Sequence, residues 1–99
     1  MPYTIFVIRS FRNRGLREFF ETGNARRLSV QNPDRMRRIL LALHAARRPE
    51  DMNLPGFRFH PLRGKESGRY AVDASGNWRV TFGWNDRDAI DVDLEDYHR

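Results

Sequence analysis

The chain predicts a two-layer α+β sandwich: an N-terminal strand, two amphipathic helices, then an antiparallel sheet of three to four C-terminal strands. Two observations carry this expectation. Apolar residues recur at helical spacing in the first half, and the period changes from 3.6 to 2 after the turn-rich segment Met52-Asn53-Leu54-Pro55-Gly56. Helices covering one side of the sheet leave the other side open, where Arg79, Thr81 and their cross-strand neighbours are expected to face solvent. Ninety-nine residues, 39% of them hydrophobic, supply one core, so residues 1–99 are read as a single domain.

The first strand is expected over Tyr3 to Arg9, where Ile5, Phe6, Val7 and Ile8 form a β-branched and aromatic run. Leu16, Phe19 and Phe20 then mark a helix of two to three turns that ends at Gly23. Asn32-Pro33-Asp34 starts a second helix, with Asn as cap, Pro at the first helical position and Asp in the first turn. Met36, Ile39, Leu40 and Leu43 form its apolar stripe, and Pro49 is expected to close it. Strands are expected from Phe57-Arg58-Phe59, over Arg69 to Asp73, and over Asn77 to Trp84. In the last strand Ile90, Val92 and Leu94 point inward, with Asp91, Asp93 and Glu95 outward.

Composition excludes several classes. No apolar run reaches bilayer length, and the start lacks the basic region and cleavage site of a secretory signal, so no membrane partner and a cytoplasmic address are expected. The absence of cysteine removes disulfides, thiolate nucleophiles and cysteine-based zinc sites. Seventeen of the 18 basic residues are arginine, whose planar fork suits bidentate phosphate contact, and Lys65 is the one lysine. A GC-rich coding bias would also raise arginine, so its distribution says more than its total. Residues 1–85 carry 16 basic and 7 acidic side chains, residues 86–99 carry 2 and 6, and the positive field therefore belongs to the body.

Cleaving RNA without a metal requires one group to deprotonate a 2′-hydroxyl, another to protonate the departing 5′-oxygen, and cations to stabilise the phosphate. His60, Arg63, Arg79, Asp96, Tyr97 and His98 fall at strand ends or on the polar face of the inferred sheet. His44 flanks the apolar stripe of the second helix and reads as a boundary residue. The acidic alternation at residues 86–95 fails the EF-hand order, and Gly64-Lys65-Glu66 lacks the glycine and hydroxyl of a phosphate loop, so no metal or cofactor is expected.

Arg9-Ser10-Phe11-Arg12, Gly15-Leu16, Phe19-Phe20-Glu21-Thr22-Gly23, Asn53-Leu54-Pro55-Gly56-Phe57, His60-Pro61-Leu62, Gly76-Asn77-Trp78-Arg79-Val80 and Asp96-Tyr97-His98 occur in this order. Together they resemble the HigB family of host-inhibition toxins in the RelE/ParE superfamily. The resemblance runs from Val7 to His98; Met1 to Phe6 precede the usual start. It implies a RelE-like, microbial ribonuclease-like α+β fold, and a metal-independent endoribonuclease that enters the ribosomal A site, cuts mRNA and inhibits translation. It also implies a HigA-type helix-turn-helix antitoxin and operator binding by the complex. Carried over by position, the active-site residues are His60, Asn77, Arg79, Asp96, Tyr97 and His98. Arg63 stands where the family often has lysine, which keeps the charge but replaces a compact ammonium with a fork that is not deprotonated. Asn77 and the cations Arg63, Lys65 and Arg69 are taken as RNA or phosphate contacts. The alternatives are a ParE-like, non-enzymatic gyrase inhibitor, which lacks the catalytic cluster, and a plain nucleic-acid-binding module.

Overall fold

A computed structural model describes residues 8–28 and 32–96. The first helix, α1 (Arg14–Thr22), begins where Asn13 accepts the Leu16 N–H at 2.8 Å, and ends where Gly23, at φ 81°, donates its N–H to the Phe19 carbonyl. Gly15 lets the helix approach the following segment. A Cβ there would lie 2.6 Å from the Arg27 carbonyl oxygen. The second helix, α2 (Pro33–Ala45), has the expected start, with the Asn32 side chain accepting the Arg35 N–H. It ends before the expected stop. Ala46 turns to extended backbone, and Pro49 is buried at the start of a 3₁₀ turn, Pro49–Met52, a first position that needs no N–H.

Four antiparallel strands follow in a meander: β1 (His60–Pro61), β2 (Arg69–Asp73), β3 (Trp78–Asn85) and β4 (Asp88–Asp96), adjacent in that order. Leu16 and Phe19 of α1 and Met36, Ile39, Leu40 and Leu43 of α2 pack with Val72, Val80, Phe82, Val92 and Leu94 to form the core between the layers. Among the described residues, no helix is long and apolar enough to cross a membrane.

The expected N-terminal strand lies outside the described residues as far as residue 7. From there Ile8 and Phe11 bridge in parallel to Ala89 and Val92, tied by Arg9 N–H to Ala89 O and Arg12 N–H to Val92 O, both 2.8 Å. Three other expectations need correction. Phe57-Arg58-Phe59 does not begin a strand, because Arg58 takes φ 53° and interrupts the ladder. The inward alternation of β4 does not extend to Ile90. The register with β3 shifts between Thr81 and Gly83, so Asp91 and Val92 both stand opposite Phe82, with Asp91 at φ 51°. This extra residue turns Ala89 into the core and puts Ile90 beside Gly83 on the opposite face. The third correction concerns Thr81. It is fully buried beneath its neighbours instead of facing solvent.

Candidate active site

Strand register fixes which side chains share the face away from the helices, since directly paired residues project to the same side. His60, Ala71, Thr81 and Asp93 form one row across the four strands, and Asp73, Arg79 and Glu95 form the next. Ala71 and Thr81 are small and fully buried, so the middle of the face is low between longer side chains. His60 and Arg79 project from alternate strands, β1 and β3, whose backbones lie about 10 Å apart, a span that two long side chains and a phosphodiester can fill.

His60 is half-buried, with its Nδ1 2.9 Å from the Arg58 carbonyl oxygen. Arg63 and Lys65 are exposed on the β1–β2 connection, where Gly64–Glu66 form a 3₁₀ turn. Asn77 is exposed at the β2–β3 turn, two residues before the half-buried Arg79. Asp96 ends β4 opposite Trp78, and therefore on the helix-facing side at the end of the sheet, whereas its neighbour Glu95 stands opposite Arg79 on the open face. Tyr97 and His98 lie outside the described residues. Register thus brings His60 and Arg79 to one face, places the loop cations at the β1 end, and leaves Asp96 on the other side at the margin.

Arg69 occupies a different environment from the other cations. It is buried, and its Nη2 donates to Thr81 Oγ1 and to the Asp91 carbonyl, both at 3.0 Å, while its Nε lies 3.5 Å from a Glu66 carboxylate oxygen. Thr81 in turn donates its hydroxyl to Glu95 Oε2 at 2.7 Å. Burial, with the Arg12 guanidinium adding to it, lowers the Arg69 pKa from its ordinary value, and Glu95, Glu66 and Asp91 oppose that shift. Arg69 remains a cation at physiological pH. Its guanidinium is directed into the protein, where it holds the floor of the face, and is not presented as an open fork.

Sequence reasoning does not single out Arg58 or Glu95, and it places Thr81 on the open face as a solvent-facing residue and not as a buried hydroxyl. Glu95 reads from sequence as one more solvated carboxylate in an alternating strand, and only the register with Arg79 distinguishes it. His44 sits at a boundary as expected, half-buried with its ring 5.3 Å from that of Phe20. Among the described residues, no group of three histidine or acidic side chains is arranged to hold a metal ion. A cavity of about 220 Å³ lies between α1 and α2, lined by Phe19, Phe20, Leu40 and Leu41, and so belongs to the helical layer and not to this face.

Two helices on one side of a four-stranded antiparallel meander form the RelE-like α+β fold. Residues 9–98 match the family model described as "RelE-like toxin of type II toxin-antitoxin system HigB". The chain is also 34% identical over 92 residues to "Endoribonuclease HigB" of Proteus vulgaris, a match covering 93% of this chain and all of that protein. The chain belongs to the HigB-like toxin family, the toxin half of a type II toxin-antitoxin system, and so has an antitoxin partner.

Proposed function

We propose that this toxin is an endoribonuclease that cleaves mRNA in the ribosomal A site and thereby inhibits translation. The observation that carries the reading is the placement of an imidazole, His60, and a guanidinium, Arg79, on one uncovered sheet face two strands apart. The 2′-oxygen forms a bond to phosphorus, the bond from phosphorus to the 5′-oxygen breaks, and one proton leaves the first oxygen while one reaches the second. The products are a 2′,3′-cyclic phosphate and a new 5′-hydroxyl end. His98, assisted by Asp96, handles the proton at the sugar, and His60 handles the proton at the opposite oxygen. Arg79 and Arg63 stabilise charge on the phosphate, Asn77 positions it, and Tyr97 stacks on a base or shares in proton transfer. Lys65 extends the cationic edge, and Arg69 supports the face from beneath through Thr81.

The geometry also supports dependence on the ribosome. An open face without walls offers chemical groups but little to hold a flexible strand in line, so ribosomal RNA supplies the orientation. On this reading the protein acts in the cytoplasm, its partners are the 70S ribosome and mRNA, and its antitoxin is a HigA-type helix-turn-helix protein that carries the complex to operator DNA.

The test is end-mapping of transcripts in a translating extract. Wild-type protein should give new 5′-hydroxyl ends on ribosome-bound message, and His60→Ala and His98→Ala should each lower the rate by about 10²- to 10⁴-fold. Full activity in both variants would remove the assignment. Equal rates on naked transcript would make the protein a general ribonuclease, and inhibited supercoiling with intact message would place it with the gyrase inhibitors.

A further inference from the structure

Arg58 holds a backbone conformation that an arginine rarely takes. Its φ of 53° lies in the left-handed region, where a residue with a Cβ is uncommon. Asp86 and Asp91 share this conformation, but they sit in a hairpin turn and a bulge, and aspartate tolerates the region better because its short side chain bonds locally. Arg58 follows a turn and stands where two residues, Arg58 and Phe59, occupy the span that Val72 alone fills on β2, and it has no short side-chain oxygen to ease the conformation. It is the second residue before His60, at the entrance to β1.

The conformation is held from both sides. The Phe57 carbonyl accepts the Asp73 N–H at 2.8 Å, and Arg58 Nε lies 3.2 Å from Asp73 Oδ2. One residue earlier, Arg35 Nη2 donates to the Gly56 carbonyl at 2.7 Å and also to the Asp73 carbonyl at 3.0 Å. Beyond Arg58, His60 is in register with Ala71. A strained residue persists where its surroundings fix the chain before and after it, and that is the arrangement here.

The result is a contact with the imidazole. An extended residue at this position would run its carbonyl in the plane of the sheet, away from side chains that stand perpendicular to it. The left-handed turn instead places the Arg58 carbonyl oxygen 2.9 Å from His60 Nδ1. A carbonyl can only accept, so Nδ1 carries the hydrogen, and in the neutral ring the lone pair is on Nε2.

We propose that Arg58 is a positioning residue whose left-handed backbone selects the Nδ1–H tautomer of His60 and leaves Nε2 as the atom that exchanges a proton with the scissile phosphodiester. The proposal rests on the ribonuclease reading of His60. Nε2 gains or gives one proton at one oxygen of that group, and the Nδ1–H bond is kept throughout. When the ring is protonated, its positive charge rests against the Arg58 carbonyl dipole.

The first test needs no variant. Long-range ¹H–¹⁵N spectra of the full-length chain, recorded above the imidazole titration, distinguish the two tautomers, and His60 should show Nδ1–H. A His60 ring in the Nε2–H form would overturn the proposal while leaving the ribonuclease reading intact. Conversely, full cleavage by His60→Ala would remove that reading whatever the tautomer. The second test separates backbone from side chain. Arg58→Gly takes the left-handed region freely and should keep the tautomer and a cleavage rate near wild type. Arg58→Val resists that region and should lose the tautomer and about 10- to 100-fold in kcat on programmed ribosomes, less than the roughly 10²- to 10⁴-fold of a removed proton-transfer group because the imidazole is still present, with KM little changed. If Arg58→Gly and Arg58→Val fell together through a raised KM, the side chain would be an RNA contact and the backbone account would fail. If Arg58→Val did not fold, the wild-type tautomer and the Arg58→Gly rate would still decide the matter.

Discussion

Thr81→Val removes one hydroxyl from the floor of the open face and leaves the volume of the side chain almost unchanged. That hydroxyl accepts from Arg69 at 3.0 Å and donates to Glu95 at 2.7 Å, and the residue has no exposure to solvent. Each bond joins a neutral hydroxyl to an ionised group, the kind that contributes about 1.5 to 3 kcal/mol. The full sum is not lost, because Arg69 keeps the Asp91 carbonyl and Glu66, and Glu95 is only half-buried and reaches water. The expected destabilisation is about 2 to 3 kcal/mol, which for a chain of this length lowers Tm by roughly 10 to 20 °C. Urea unfolding followed by fluorescence of Trp78 and Trp84 gives the measurement, with an unchanged m-value showing that the unfolded state is the same. Thr81→Ser keeps both bonds and should lose no more than about 1.5 kcal/mol, the cost of one methyl group. A cycle of Thr81→Val with Glu95→Ala should return a coupling of about 1 to 2 kcal/mol. A Thr81→Val loss below about 0.5 kcal/mol, within the range of surface substitutions, would refute the view that this hydroxyl joins the two charges.

Other outcomes follow from single contacts. Arg35→Ala removes donors to the Ala74, Gly56 and Asp73 carbonyls and a cation held 5.5 Å from the Phe57 ring centroid, so it should cost about 2 to 3 kcal/mol and speed hydrogen exchange at the Asp73 amide. Gly15→Ala would ordinarily strengthen a helix by about 1 kcal/mol, but the Cβ meets the Arg27 carbonyl at 2.6 Å, and thermal unfolding should show a loss of about 1 to 3 kcal/mol instead. Asp51 has its pKa lowered, first by the Arg47 N–H it accepts and also by the Arg48 N–H and charge, against an opposing effect of burial. Its stabilisation is therefore present above the usual carboxylate value of about 4 and disappears as pH falls through the lower folded value. Asp51→Asn should be less stable than wild type at pH 7 by a few tenths of a kcal/mol, a small figure because the group is largely solvated, and equal to it near pH 2.

The parts of the fold legible in the sequence are those whose cause is local. Gly23 ends a helix because a left-handed residue is needed there, and Asn32-Pro33-Asp34 starts one through cap, fixed φ and first-turn charge, so each can be read without knowing what packs nearby. Pro49 misleads for the same reason: the sequence shows that it cannot continue a helix, but not that the chain has already turned at Ala46. The β4 alternation is legible from Val92 to Leu94 and fails at Ile90, since the bulge at Asp91 arises from tertiary contacts. Ser10 donates its hydroxyl to Asp91 Oδ1 at 3.2 Å and accepts the Asp91 N–H at 2.8 Å, and those residues are 81 positions apart.

The same distinction applies to the candidate site. Residue type is enough to nominate His60 and Arg79, because imidazole and guanidinium carry their chemistry wherever they stand. It says nothing of Arg58 or Thr81, whose contributions lie in a backbone angle and a buried hydroxyl. Nor does it separate Arg69 from Arg63, two cations six positions apart, of which one is buried against Thr81 and the other faces solvent. What separates them is the strand. Arg69 is in register with Gly83 on β3, and its guanidinium reaches across to the Asp91 carbonyl at the bulge. A Cβ on Gly83 would lie in ordinary van der Waals contact with Arg69 Nη1 at 3.7 Å but press on Ile90 Cγ1 at 3.3 Å, so the glycine is matched to the bulge that brings Ile90 over it, and the same bulge offers Arg69 the Asp91 carbonyl.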